Sequence, residues 1–237
     1  MSLDLFDILG EAFEKVISRT GLIFIGLLLV LNFLSRVPAE GFANLMVNSD
    51  FSSISSVFNL ILAPTFLFIS FLIFVGTIII SIAAVRNFVS DEDKRIRKEF
   101  FTRNMFFAGV NSFIGAIFYG IIIGVGFILF IIPGIFLLVS LFAWEIFVVV
   151  EDQNFLEAGK SSWNLTEGNR LPLAGLLLLV TVIGIILNIP VQLFDRGVSV
   201  LIVEPITGSI LTVFVLAVSA VAYNRLSDLV DREKVLD

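Results

Sequence analysis

The chain contains no histidine and no cysteine. Without imidazole no side chain exchanges its proton near neutrality by default, and without thiols there is no cysteine nucleophile, thiolate metal site or disulfide. Much enzyme chemistry is excluded, and the redox compartment is left open. Charge is scarce as well: 15% of the 237 residues are Asp, Glu, Lys or Arg, against about 25% in soluble domains. The formal charge is −6 and arginine outnumbers lysine ten to five. No basic surface is available to neutralise phosphates, so no nucleic-acid partner is expected. An acidic, lysine-poor face suits a high-salt cytoplasm, an archaeal-like hint.

What the chain has instead is apolar length. Hydrophobic residues make up 58% of it, and runs long enough to cross a bilayer recur with only Ser, Thr, Asn and Gly inside them. The expected fold is all-α, a polytopic bundle of six membrane helices with interfacial amphipathic helices, in a single domain of residues 1–237. The expected spans are 21–36, 56–85, 105–131, 133–150, 171–189 and 206–223. Residues 1–20 lack a basic stretch ahead of an apolar core, so a cleaved signal peptide is not expected.

Residues 2–19 place Leu5, Ile8, Leu9, Ala12, Phe13, Val16 and Ile17 on one helical face and acids on the other, which predicts an amphipathic helix lying in the membrane interface. A polar connection is expected from Val37-Pro38 to Ser55. Residues 86–104 are the most charged stretch. Ser90 three residues ahead of Asp93 predicts a capped helix there, with Lys94, Arg95, Arg97 and Lys98 beyond. These four are the anticipated contacts to anionic lipid headgroups; the plainer reading is a solvated loop that fixes topology.

In the third span Ala108, Ser112, Ala116, Gly120 and Gly124 recur at four-residue intervals, the small-residue spacing along which membrane helices approach closely. Packing within the chain is the plain reading and a homo-oligomer contact the sharper one. Pro133 should open the fourth span, a single helix to Val150. Asn154 and Glu157 form a capping box for a short amphipathic helix ending near Gly168, with Trp163 as its interfacial anchor.

Counting Lys and Arg by connection puts thirteen on the side of both termini and two, Arg36 and Arg196, on the other. The positive-inside rule then makes both termini cytoplasmic in a cell-membrane protein. Layout also suggests a threefold repeat, 1–89, 90–152 and 153–237, with GEAFEK matched to LEAGKS and GLLLV to GLLLLV.

Pro133-Gly134, Glu151 and the run EAGKSSWNLTEGNR at 157–170, with Glu157, Ser162, Trp163, Leu165 and Gly168, resemble the six-helix membrane domain attached to some glycerophosphodiester phosphodiesterases and its stand-alone bacterial and archaeal relatives. The specific matches cover about forty residues. The resemblance implies a fold marker, not a catalytic signature, and the phosphodiesterase itself is missing from the chain.

Two acids are the candidate functional residues. Glu145 lies inside the fourth span, about 9 Å along the helix from Glu151, and an intramembrane carboxylate is a functional candidate by default. A partly hydrated carboxylate, or one paired with Arg86, Arg170 or Arg225, is the structural reading; ion or proton coupling, with Asn32, Asn111 and Asn188 as polar partners, is the alternative. No catalytic, cofactor-binding or metal site is expected. The sequence therefore favours a non-catalytic scaffold or lipid-associated accessory at the inner leaflet, whose partners are membrane lipids, anionic headgroups among them, or a protein or second copy. A small-solute or ion transporter with Glu145 in its pathway is the alternative, and an intramembrane enzyme is a third.

Overall fold

A computed structural model describes residues 4–48, 55–91, 95–194 and 196–236. The chain is 88% helical, with no strand among the described residues. In order, the helices are α1 (Leu5–Ile17), α2 (Arg19–Asn48), α3 (Ser55–Val89), α4 (Glu99–Thr102), α5 (Met105–Leu129), α6 (Ile131–Ser140), α7 (Trp144–Val150), α8 (Phe155–Leu165), α9 (Arg170–Leu193), α10 (Arg196–Val198) and α11 (Glu204–Leu236). A π-helical turn at Ser199–Val203 leads into α11. Six segments are long and apolar enough to cross a membrane, with α6 and α7 together counting as one. The chain is an all-α multi-pass bundle.

α2, α3 and α11 form its centre, with α1 packed across α11 and α2, while α5 and α6 make an outer hairpin. Burial is concentrated at one end. Phe24, Ile82, Ala83, Ala84, Phe88, Val148, Val221 and Leu226 are all at or below 2% exposure, and Phe24 meets Phe88 edge to face. Toward the other end large apolar side chains stand open: Phe68, Phe71, Ile128, Ile132 and Ile185. In lipid such exposure costs nothing, so only the packed end needs a tight core. Two polar contacts hold the helices further along: Asn32 Nδ2 donates to Ser209 Oγ at 2.9 Å, and Arg36 pairs with Glu204 at 2.9 Å.

Several expected boundaries move. Val37-Pro38 does not end the first span, because α2 continues to Asn48 with Pro38 inside it. A proline removes one N–H and one helix bond, a loss that membrane helices absorb, and Ala39, Glu40, Leu45 and Met46 are strong helix formers. Residues 49–54 of the expected polar connection lie outside the described residues. The charged stretch after α3 is not one capped helix. Ser90 bonds back to the carbonyl of Asn87, and Asp91 adopts a left-handed φ of 59°, so Ser90 closes α3 instead of opening a new helix; among the described residues of the stretch up to Asn104, helix beyond it is confined to Glu99–Thr102. Asp93 lies outside the described residues.

Only part of the small-residue stripe is buried. Ala108 and Ser112 are buried, but Ala116 and Gly120 are exposed and Gly124 has open space where a Cβ would go. The face that packs instead carries Ala108, Ser112, Gly115, Tyr119 and Gly126. The reason is angular: four residues turn about 400°, so a strict four-residue stripe drifts about 40° per step around a 3.6-residue helix. By Gly124 the stripe has left the contact face.

α1 and α8 share a design. Asp4 caps α1 by accepting from the N–H groups of Phe6 and Asp7, and Asn154 caps α8 by accepting from those of Leu156 and Glu157. With these caps aligned, the buried positions coincide: Ile8 with Ala158, Ala12 with Ser162, Lys15 with Leu165, Val16 with Thr166. The match of GEAFEK to LEAGKS is thus displaced by about one helical turn.

Candidate functional site

The expected fourth span is two helices, not one. α6 ends at Ser140, α7 begins at Trp144, and Leu141–Ala143 form a turn between them. A broken helix in lipid strands backbone groups that water cannot reach, and α8 supplies the replacements. Ser162 Oγ accepts from the Ala143 N–H at 3.0 Å and donates to the Ser140 carbonyl at 3.0 Å. The Thr166 hydroxyl reaches the same carbonyl at 3.3 Å. Ser140, Ser162 and Thr166 are each fully buried. α8 is therefore built into the joint.

α8 is held from its other side by α5. The Phe155 N–H donates to Asn111 Oδ1 at 3.1 Å, and Tyr119 Oη donates to the Phe155 carbonyl at 2.6 Å. Gly159 is required by this contact, since a Cβ there would lie 1.8 Å from Tyr119 Oη. Along α8, Phe155 is partly buried and Ala158, Gly159, Ser162 and Leu165 are buried, whereas the expected anchor Trp163 is 37% exposed. Its ring meets Phe136 edge to face and lies 4.7 Å from the Arg170 guanidinium carbon. Glu157 is exposed in the first turn of α8, and Gly168 takes the left-handed φ of 79° expected of a glycine after a helix.

Beyond α7 the chain enters a polar layer. Arg86, 5% exposed, donates to the carbonyls of Val149 (2.8 Å), Phe100 (3.1 Å) and Arg103 (2.7 Å), so one guanidinium closes the end of α7 and the turn around α4. Arg103 pairs with Asp152 at 2.5 Å, and Arg86 lies 3.8 Å from the same carboxylate. On the far side of the layer Lys15 pairs with Asp91, Arg225 with Glu11 at 2.7 Å, and Asn224 donates to the Val89 carbonyl.

The three arginines considered as partners of Glu145 are thus engaged elsewhere, Arg170 with Trp163 and Phe136. Asn32 pairs with Ser209, Asn111 holds α8, and Asn188 bonds the Gly184 carbonyl of its own helix. Glu145 itself is partly buried and makes no hydrogen bond or ion pair among the described residues. It stands in the first turn of α7, directly after the joint.

Glu151 has a different setting. Tyr223 Oη donates to its Oε1 at 2.5 Å, Gln153 Nε2 donates to Oε2 at 3.1 Å, and Ser161 in turn donates to Gln153. Beside it a cavity of about 590 Å³ opens between α7, α8 and α11, walled by Phe147 and Leu165 and edged by Asn164 and Asp231. A second, apolar hollow of about 660 Å³ lies between α3 and α5, lined by residues such as Phe74, Ile78 and Phe113. Glu145 lines neither.

Of the expected headgroup contacts, Arg95, Arg97 and Lys98 are exposed, with Arg97 paired to Glu99 at 3.0 Å; Lys94 lies outside the described residues. Sequence reasoning missed Tyr119, Thr166 and Gly126, and named Arg86 only as a partner of Glu145 and not for the carbonyls it holds. A buried-helix arginine and one of only two tyrosines were available signals; the Thr166 and Gly126 contacts depend on which helices meet.

No curated protein and no solved structure matches the chain. The profile of a domain of unknown function (DUF7847) matches residues 3–226, nearly the whole length, and the chain belongs to that family.

Proposed function

We propose that this is a non-catalytic integral protein of the cell membrane, with both termini cytoplasmic, acting as a scaffold or lipid-associated accessory at the inner leaflet. The observation that supports this best is how the motif at 151–170 spends its polar groups. Asn154, Ser162 and Thr166 all bond within the fold, as do the Asn111 and Tyr119 side chains that hold α8. That use also suits kinship with the membrane domain of glycerophosphodiester phosphodiesterases, where the pattern marks the fold. The thirteen-to-two distribution of Lys and Arg supports the orientation.

Exposed Arg95 and Lys98 give this face its affinity for anionic headgroups, each basic group contributing about 1 kcal/mol near such a surface. In nanodiscs of mixed neutral and anionic phospholipid, native mass spectrometry should find anionic lipid enriched on the protein. The double variant Arg95→Ala/Lys98→Ala should lose about tenfold of that preference or more at low salt. Equal enrichment in the variant would remove the lipid-contact reading. A reporter at the C-terminus that matures only outside the cell would overturn the orientation.

One observation favours transport as the second reading: Glu145 has no hydrogen-bond or ion-pair partner among the described residues and follows the joint of a discontinuous span, where transporters place their ion sites. If flux exists in proteoliposomes, Glu145→Ala should abolish it. Flux unchanged in that variant would leave Glu145 as an interface residue.

A further inference from the structure

We propose that the cavity beside Glu151 is a binding site for a small organic cation, an ammonium group carried on an apolar stem. The argument begins with two neighbouring acids that fare differently. Asp152, at a left-handed φ of 56°, faces Arg103 and Arg86 and is compensated by both. Glu151, one residue earlier, has only neutral donors, Tyr223 and Gln153, and no ion pair among the described residues. Neutral donors fix the position of a carboxylate without cancelling its charge, and each carboxylate oxygen can accept a second hydrogen bond.

The cavity collects this charge. Asp231, two turns beyond Tyr223 on α11, stands on the same rim, and none of the described lining residues is basic. The Glu151 carboxylate therefore biases the space toward a cation. The rest of the lining determines what kind. Phe147 and Tyr223 meet edge to face, ring centroids 5.4 Å apart, and give the space a packed aromatic floor. Leu165 and Val230 supply an apolar wall, and Asn164 a polar one. A bare metal ion would find too few converging oxygens among these groups. The volume of about 590 Å³ falls within the range of small-molecule sites. The ammonium can come from a soluble amine or from an ethanolamine headgroup at the membrane face. The site goes beyond the anionic-lipid reading, because it recognises the opposite charge on different residues.

The test uses the full chain in phosphatidylcholine nanodiscs, titrated calorimetrically with phenethylamine and with its neutral counterpart, 2-phenylethanol, as the partitioning control. Saturable binding of the amine alone is expected. Glu151→Gln keeps the acceptor for Tyr223 while removing the charge, and should weaken binding at least tenfold. Asn164→Trp blocks the mouth without altering charge and should abolish binding, so the test survives a folding defect in either variant. Adding phosphatidylethanolamine separates the sources. Competition with the amine supports the headgroup as occupant, and undiminished amine binding supports the soluble ligand. Equal uptake of amine and alcohol, or amine binding unchanged in both variants, would overturn the site.

Discussion

The Ser162 hydroxyl sits between the Ala143 N–H and the Ser140 carbonyl, 3.0 Å from each, and replaces the helix bonds that the fourth span gives up at its joint. Ser162→Ala leaves a buried donor unpaired and the carbonyl dependent on Thr166 alone. An unsatisfied buried group costs about 1–3 kcal/mol, so the variant should lose about 2 kcal/mol in reversible unfolding from detergent micelles. Ser162→Ala/Thr166→Val should lose more, since no hydroxyl remains at the joint.

Gly159 and Tyr119 form a coupled pair. A methyl at 159 would meet Tyr119 Oη at 1.8 Å and Cζ at 2.6 Å, so Gly159→Ala should cost about 1–3 kcal/mol through overpacking. Tyr119→Ala removes the obstacle. In a double-mutant cycle the second glycine substitution should cost far less in the Tyr119→Ala background, a coupling of about 1 kcal/mol or more. Additive losses would show that α8 and α5 do not meet there.

The glycines of α5 separate by position. Gly120 and Gly124 have nothing within 4 Å of an added Cβ, whereas at Gly115 it would reach the Trp144 ring at 2.3 Å and at Gly126 Leu137 Cδ1 at 2.8 Å. Gly120→Ala and Gly124→Ala should leave the melting temperature unchanged or raise it slightly, because alanine favours a helix. Gly115→Ala and Gly126→Ala should lower it. Crosslinking between copies through residues 120 and 124 would recover the homo-oligomer contact anticipated from the GIIIG spacing.

Arg86 holds three carbonyls from two segments. Arg86→Ala strands them and leaves Asp152 with Arg103 alone, and breaking a buried charged cluster of this kind costs about 3–5 kcal/mol. Arg86→Lys should recover only part of the loss, since an ammonium lacks the planar fork. Thermal unfolding of the three proteins in one detergent orders them: wild type, lysine, alanine.

The number of spans and the Asn154 cap were legible because they depend on local sequence. Apolar length identifies a membrane helix wherever its neighbours are, and Asn154 ahead of Glu157 reads as a cap from backbone geometry alone. The joint at Leu141–Ala143 was not legible. Nothing in IFLLVSLFAWEIFVVV breaks a helix by propensity, and the hydroxyls that permit the break come from residues 162 and 166. The three arginines offered as partners of Glu145 are taken up elsewhere for a related reason. Arg86, Arg170 and Arg225 were sensible partners by depth, but carbonyls, rings and Glu11 reach them first. The polar end was foreseeable as a charged layer, whereas the asymmetry between Glu151 and Asp152 follows from the left-handed turn at Asp152.

The joint also constrains how the protein is made. Its backbone groups are satisfied by a side chain encoded 22 residues after Ser140, on a helix that must itself first dock against α5. While the fourth span is entering the bilayer, those hydroxyls are not yet in place, and an unbroken helix is the arrangement that leaves no backbone group stranded. The turn at 141–143 therefore depends on α8 for its hydrogen bonds. A chain halted before residue 162 would hold a straight fourth helix.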